Sequence, residues 1–147
     1  MGCNGATTSD APACALDATA SLDTAPEAGH AHPLEPTPSI YVGLRNPYGY
    51  DDPSKAALGA ALYAAECARC HGVTGKGDGP EATQFTPRPV DLNDTNAHHP
   101  DPYIFWRVHD GGQLACSPSD MPAFGGKLSD DDLWRIITYL RFTFLAF

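Results

Sequence analysis

The sequence predicts an all-α domain of about three to four helices behind a long, irregular N-terminal extension. Three observations carry this expectation. Apolar residues recur with the helical period in three stretches after residue 54. Runs that alternate apolar and polar residues, the mark of a half-buried strand, are nearly absent. Residues 1–39 are rich in Ala, Pro, Thr and Asp and show no period that could bury a face. Such a composition cannot offset the entropy of ordering, so this stretch reads as a flexible tether.

Residues 40–53 differ in character. Ile40, Tyr41, Val42, Leu44, Tyr48 and Tyr50 sit in a stretch broken by Gly43, Pro47, Gly49 and Pro53. It cannot form a long helix, and we read it as an extended docking segment. It either wraps its own domain, the plainer reading, or packs on a partner subunit. Residues 54–147 make the domain proper, and at 147 residues the chain has room for one.

A first helix is expected from Ser54, a good N-cap, to about Cys70 through strong helix formers. Gly59 inside it costs about 1 kcal/mol against alanine and so invites a packing reason. Gly59 and Tyr63 share a face. Residues 72–99 read as loop, punctuated by Gly75, Gly77, Gly79, Pro80, Pro87 and Pro89. A short helix follows from Pro102 to about Asp110, closed by Gly111-Gly112 and apolar on more than one side through Tyr103, Ile104, Phe105, Trp106 and Val108. The last helix begins at Ser129, with Asp130, Asp131 and Asp132 in the turn where the helix dipole favours negative charge. Its apolar stripe is Leu133, Ile136, Ile137 and Leu140. Gly59 is expected to let the first and last helices cross closely beside Tyr63, Ile136 and Tyr139.

The formal charge is −9, and all nine Lys and Arg lie at or after Arg45. An acidic chain argues against nucleic acid as a partner and suits a partner with a basic docking patch. The most apolar stretch, Leu133–Phe147, is too short and too charged to span a membrane.

One pentapeptide carries the chemistry. Cys67-Ala68-Arg69-Cys70-His71 is C-x-x-C-H, the pattern for covalent attachment of a c-type haem. Two thiols three positions apart on a helix can reach the two vinyl groups on one edge of a porphyrin, and the following histidine can ligate the iron. A zinc site would need a second ligand pair, but Cys116 is alone and His98-His99 are adjacent. A thioredoxin-like site would follow a strand, and no strand-like run precedes Cys67. For a sixth ligand the chain offers two methionines, and Met1 is in the tail. Met121, in Met121-Pro122-Ala123-Phe124, is the candidate. Its thioether is a soft ligand that raises the reduction potential relative to two histidines. His98, His99 and His109 compete for the position.

Gly59-x-x-Leu62-Tyr63-x-x-x-Cys67-x-x-Cys70-His71-Gly72, then Gly79-Pro80, Met121-Pro122-x-Phe124 and Ile136-x-x-Tyr139-Leu140 together resemble a class I c-type cytochrome over residues 54–142. The resemblance implies a cytochrome c-like fold around one covalently bound haem c. Cys67 and Cys70 would form its thioether bonds, and His71 and Met121 would be the axial ligands. It implies a backbone carbonyl at Pro80 on the other nitrogen of His71, and Arg88 and Trp106 at the haem propionates. The extension, with Asn46-Pro47-Tyr48 and Gly77-Asp78-Gly79-Pro80, resembles the lipid-tethered monohaem subunits of bacterial respiratory complexes such as alternative complex III.

Gly2-Cys3 resembles the start of a bacterial lipoprotein, which makes Cys3 a candidate lipid anchor. Lipidation there would leave Cys14 and Cys116 to form a disulfide; alternatively Cys3 pairs with Cys14 and Cys116 stays free. No signal peptide precedes these residues. Because c-type haem is attached outside the cytoplasm, the chain is expected to be a mature or shortened form. The expected location is periplasmic or on the outer face of the cytoplasmic membrane.

The leading expectation is electron transfer in a respiratory or photosynthetic chain, with redox proteins of a membrane complex as partners. A second class is a haem enzyme or a gas or redox sensor in which Met121 is displaceable. A third is an assembly subunit docked through Ile40–Tyr50 and the apolar end Phe142, Phe144, Leu145 and Phe147.

Overall fold

A computed structural model describes residues 36–113 and 118–144. Cys3, Cys14 and Cys116, with their expected anchor and pairings, lie outside the described residues, as do Leu145 and Phe147. The described residues form five α-helices: α1 (Pro53–Glu66), α2 (Ala68–His71), α3 (Leu92–His98), α4 (Asp101–Asp110) and α5 (Asp130–Phe144), with a 3-10 turn at Ala82–Gln84. None of them is in a β-strand, and no helix among them is long and apolar enough to cross a membrane.

The first helix starts earlier than its sequence suggests. Asp52, not Ser54, is the N-cap; its carboxylate accepts from the N–H groups of Ser54 (2.9 Å) and Lys55 (3.1 Å). Pro53 then occupies the first helical position, where its fixed φ fits and its missing N–H costs nothing. The expected single helix to Cys70 is divided at Cys67, whose φ of −105° departs from the helical value. The ladder nearly bridges the division, since Cys67 N–H donates to Tyr63 O and His71 N–H to Cys67 O, both at 2.9 Å.

Gly59 packs against α5 as expected. A Cβ on Gly59 would collide with the Arg135 carbonyl and stand 2.8 Å from Tyr139 Cβ. Beside this crossing the Tyr63 and Tyr139 rings lie 5.2 Å apart. Ser129 starts α5 through a capping exchange, its hydroxyl donating to the Asp132 carboxylate (2.7 Å) and accepting from Asp132 N–H (3.2 Å). Leu133, Ile136, Ile137 and Leu140 are all buried, and Trp134 stacks on Phe105 of α4 at 4.3 Å.

Residues 72–99 are not all loop. The sequence Leu92-Asn93-Asp94-Thr95-Asn96-Ala97-His98 is too polar and too short to show a period, yet Asp91 caps it by accepting from Asn93 N–H at 2.8 Å.

The stretch 40–53 is a strap lying on its own domain. Tyr41 donates to Asp110 at the end of α4 (2.8 Å), and Asn46 donates to Thr138 of α5 (3.1 Å). Tyr48 bonds Asp131 at the start of α5, and Tyr50 donates to Asp101 at the start of α4 (2.9 Å). Ile40 and Val42 remain outward, as does Phe142 on α5. Phe144, expected at a docking surface, instead packs edge-on against Tyr63 and Tyr139 at about 6 Å.

Because the Gly59 contact is backbone against helix, no side-chain rotation can relieve an added methyl. Gly59→Ala should destabilise the domain by about 3 kcal/mol, the upper part of the range for overpacking, and lower its Tm by roughly 10 °C or more. Gly126→Ala, where a Cβ meets nothing within 4 Å, should leave Tm unchanged. Thermal unfolding followed by circular dichroism checks both.

Candidate functional site

α2, the loop after it, α4 and the loop before α5 enclose a cavity of about 440 Å³. Cys67, at the junction of α1 and α2, and Cys70 and His71 of α2 line it on one side, and Met121, Pro122 and Phe124 from the loop ahead of α5. Ile104 and Val108 of α4 and Ile136 and Leu140 of α5 make its apolar walls. The four residues singled out from sequence as thiols and axial ligands therefore face one space.

The end of α2 is held by main chain. Gly77 N–H donates to His71 O (2.9 Å), Gly79 N–H to Cys70 O (3.2 Å) and Glu81 N–H to Arg69 O (2.9 Å). These bonds satisfy carbonyls that a helix C-terminus leaves unpaired. A Cβ on Gly79 would stand 2.6 Å from Ala68 O, so only glycine admits this approach. Tyr63, reaching from α1, donates to Gly72 O at 2.6 Å.

This arrangement corrects the expected partner of His71. Pro80 is exposed and does not line the cavity. Its segment runs along the carbonyls of α2 rather than beside the imidazole. The carbonyl at His71 Nδ1 is that of Val90, at 3.4 Å. Leu92 N–H bonds Gly75 O at 2.7 Å and so brings the 89–91 stretch back to α2. A carbonyl only accepts, so Nδ1 carries the proton and Nε2 remains for a metal. Burial holds the imidazole below its ordinary pKa, in the neutral form a metal requires.

Burial also pushes the Cys67 thiol up to about 12 and raises that of Cys70. A dithiol redox motif needs the opposite, a lowered pKa that yields thiolate. No group of three or more metal-ligating side chains forms among the described residues, so a zinc site finds no ligand set there.

The remaining candidates divide. Arg88 lines the cavity. Trp106 does not, and the propionate role assigned to it is corrected. It is 2% exposed and packed edge-on against Tyr103 at 5.7 Å. On α4 the cavity face is Tyr103, Ile104, Arg107 and Val108, at helical spacing, and Trp106 falls off it. Arg107 is the cationic residue that sequence reasoning missed; the i, i+4 pair Tyr103/Arg107 was the available signal.

The rival histidines separate too. His98 is exposed beside Asp94. His109 is engaged with Asp110 and lies off the cavity. His99 lines the cavity but stacks on Tyr103 at 4.0 Å, and Arg141 of α5 grips its carbonyl at 2.7 Å. Arg141 is itself buried in an ion pair with Asp101 at 2.8 Å.

Residues 54–140 match the family described as cytochrome c oxidase, cbb3-type, subunit III. The chain belongs to this family of c-type cytochrome domains. No curated protein sequence matches it. A chain of the reducing HAO-like protein complex of Kuenenia stuttgartiensis is 28% identical, with a TM-score of 0.52 over 72% of this chain and 49% of that one. The chain thus spans about half the length of that relative. Cytochrome cL of the marine methylotrophic bacterium Methylophaga aminisulfidivorans is 17% identical, with a TM-score of 0.51 over 77% of this chain and 69% of that one. It shares the fold.

A cytochrome c domain implies covalently bound haem c, and the residues present fit it. Two half-buried cysteines, a neutral imidazole, a thioether and the cationic residues Arg88 and Arg107 line one apolar cavity. In the haem-loaded cytochrome, Trp106→Phe should cost roughly 1–3 kcal/mol of stability as a buried cavity forms, with no change in reduction potential. Arg107→Gln should lower the potential, because a positive charge at the cavity opposes the oxidised state. Spectroelectrochemical titration beside chemical unfolding separates the two effects.

Proposed function

We propose that this cytochrome domain is a monohaem electron carrier whose iron is held by His71 and Met121. The observation that carries the reading is the convergence of Cys67, Cys70, His71 and Met121 on one apolar cavity from two separate parts of the chain. Haem c supplies a one-electron couple at iron, whose potential follows its axial ligands and the polarity around it.

The chain's own residues set the conditions for that couple. Cys67 and Cys70 would tie the group to α2 and to the residue that caps it. Val90 O orients the imidazole and raises its basicity. Met121, from the loop ahead of α5, would be the second residue to hold the iron and would keep small ligands from it. Ile104, Val108, Ile136 and Leu140 keep water from the cavity, and main-chain bonds at both loops resist rearrangement between oxidation states. A centre that moves little between its two states suits electron transfer more than turnover.

The wider role extends the same reading. We place the domain in a respiratory or photosynthetic chain, periplasmic or on the outer face of the cytoplasmic membrane, with redox proteins of a membrane complex as partners and Cys3 as its lipid anchor. The relative with 28% identity belongs to a protein complex, which supports a subunit role for such domains. Ile40, Val42 and Phe142, outward and apolar, are candidates for docking there.

Denaturing the matured protein in acid acetone should leave the pigment on the polypeptide, and double Cys67→Ser, Cys70→Ser protein should release it. The oxidised wild type should show the long-wavelength charge-transfer band of methionine–iron ligation and bind carbon monoxide sluggishly when reduced. Met121→Ala should abolish the band, lower the potential and open the site to carbon monoxide. A band that survives Met121→Ala would refute the ligand assignment. Rapid binding of carbon monoxide or cyanide by the wild type would favour an enzyme or sensor with a displaceable Met121.

A further inference from the structure

The loop that carries Met121 is pinned to the end of α4 by main chain and rests on one ring. Met121 O accepts from Gly112 N–H at 2.8 Å, Phe124 N–H donates to Val108 O at 3.0 Å, and Gly125 N–H donates to His109 O at 2.9 Å. Gly111, at a φ of +77°, turns α4 directly into this contact; a Cβ there would stand 2.6 Å from Met121 O. At the far end of the loop lies the imidazole of His109. A Cβ on Gly125 would be 2.5 Å from its Cδ2 and 2.6 Å from its Cε1. The loop therefore follows the position of this ring.

What fixes the ring comes from the strap. His109 Nδ1 lies 2.6 Å from Asp110 Oδ1. The Tyr41 phenol donates to the same carboxylate oxygen at 2.8 Å, and its own oxygen lies 3.1 Å from His109 Nδ1. A carboxylate only accepts, so Nδ1 carries a proton and the three groups close a small network. The imidazole stacks on Phe105 at 5.8 Å, with the Tyr41 ring at 5.9 Å. Tyr41 is 8% exposed, and burial beside Asp110 holds its phenol in the protonated, donating form.

We infer that Tyr41, acting through Asp110 and His109, is a positioning residue for Met121. The inference rests on the proposal that Met121 is the iron ligand. Without the Tyr41 hydroxyl, Asp110 loses one of its two side-chain donors among the described residues, and the imidazole is free to tilt. The Gly125 end of the loop then loses its floor, while the bond from Gly112 to Met121 O remains. The expected result is a partial release of the Met121 side chain rather than loss of the fold.

The test uses the haem-loaded full chain. Tyr41→Phe keeps the ring and its packing and removes only the hydroxyl; Asp110→Asn perturbs the same network from its centre. Each variant should raise the carbon monoxide association rate of the reduced protein by about tenfold, equivalent to about 1.4 kcal/mol, and weaken the methionine–iron charge-transfer band. In a Met121→Ala background, Tyr41→Phe should leave the association rate unchanged. If Tyr41→Phe lowers only the unfolding midpoint, or accelerates carbon monoxide binding equally in both backgrounds, Tyr41 is merely structural and the inference is overturned. A wild type without the charge-transfer band would overturn the ligand assignment and this inference together. A wild-type band insensitive to both variants overturns this inference alone.

Discussion

The contact of α1 with α5 at Gly59 governs the geometry of everything around the cavity. The Arg135 carbonyl and Tyr139 Cβ occupy the space where a side chain would be. Close approach at this point seats Tyr63 against Tyr139 and Phe144. From that seat the Tyr63 phenol reaches Gly72 O, directly after His71. The same α5 presents Ile136 and Leu140 to the cavity. One helix crossing thus sets both the helix that bears the thiols and the wall that faces it.

The remaining sides of the cavity are built from irregular chain, and their rigidity comes from backbone bonds and a few buried polar groups. Gly77 and Gly79 bring their N–H groups onto the carbonyls of α2. At the opposite corner, Arg141 donates to the carbonyls of Asn96 and His99 while paired with Asp101. A buried ion pair of this kind adds little net stability, since desolvation offsets the attraction. Its effect is positional: it joins the end of α3 and the start of α4 to the last turn of α5. The strap adds Tyr50 to the same carboxylate and Tyr41 to the other end of α4, so α4 is gripped at both ends.

The residues that face the cavity were legible where their identity is itself the chemistry. Cys67, Cys70, His71 and Met121 are rare or strictly spaced side chains, and no packing detail was needed to select them. The partner of His71 was not legible, because any residue supplies a carbonyl. Only the path of the chain from Gly75 through Leu92 decides that Val90 provides it. Trp106 and Arg107 could not be ordered from sequence, because α4 is apolar on several sides and its period gives no unique inward face. α3 was hidden for the opposite reason, having almost no apolar residues to repeat. Ser54 and Asp52 are both sound caps, and the proline between them decides in favour of Asp52.

The strap has a consequence for how the molecule is assembled in time. Tyr41 bonds residues 68 and 69 positions downstream, and Asn46 and Tyr48 bond residues 92 and 83 positions downstream. Closing such long loops costs chain entropy that nearby contacts must already have offset. The earliest segment of the domain to leave the ribosome is therefore the last to find its seat, because half of its anchoring groups belong to the final helix. Until α5 docks, the strap is held only through Tyr41 and Tyr50 at the ends of α4, and the chamber beside α4 lacks the wall of Ile136 and Leu140. A bulky prosthetic group joined outside the cytoplasm would enter before the strap seats, and the amino-terminal strap would then fasten the walls behind it.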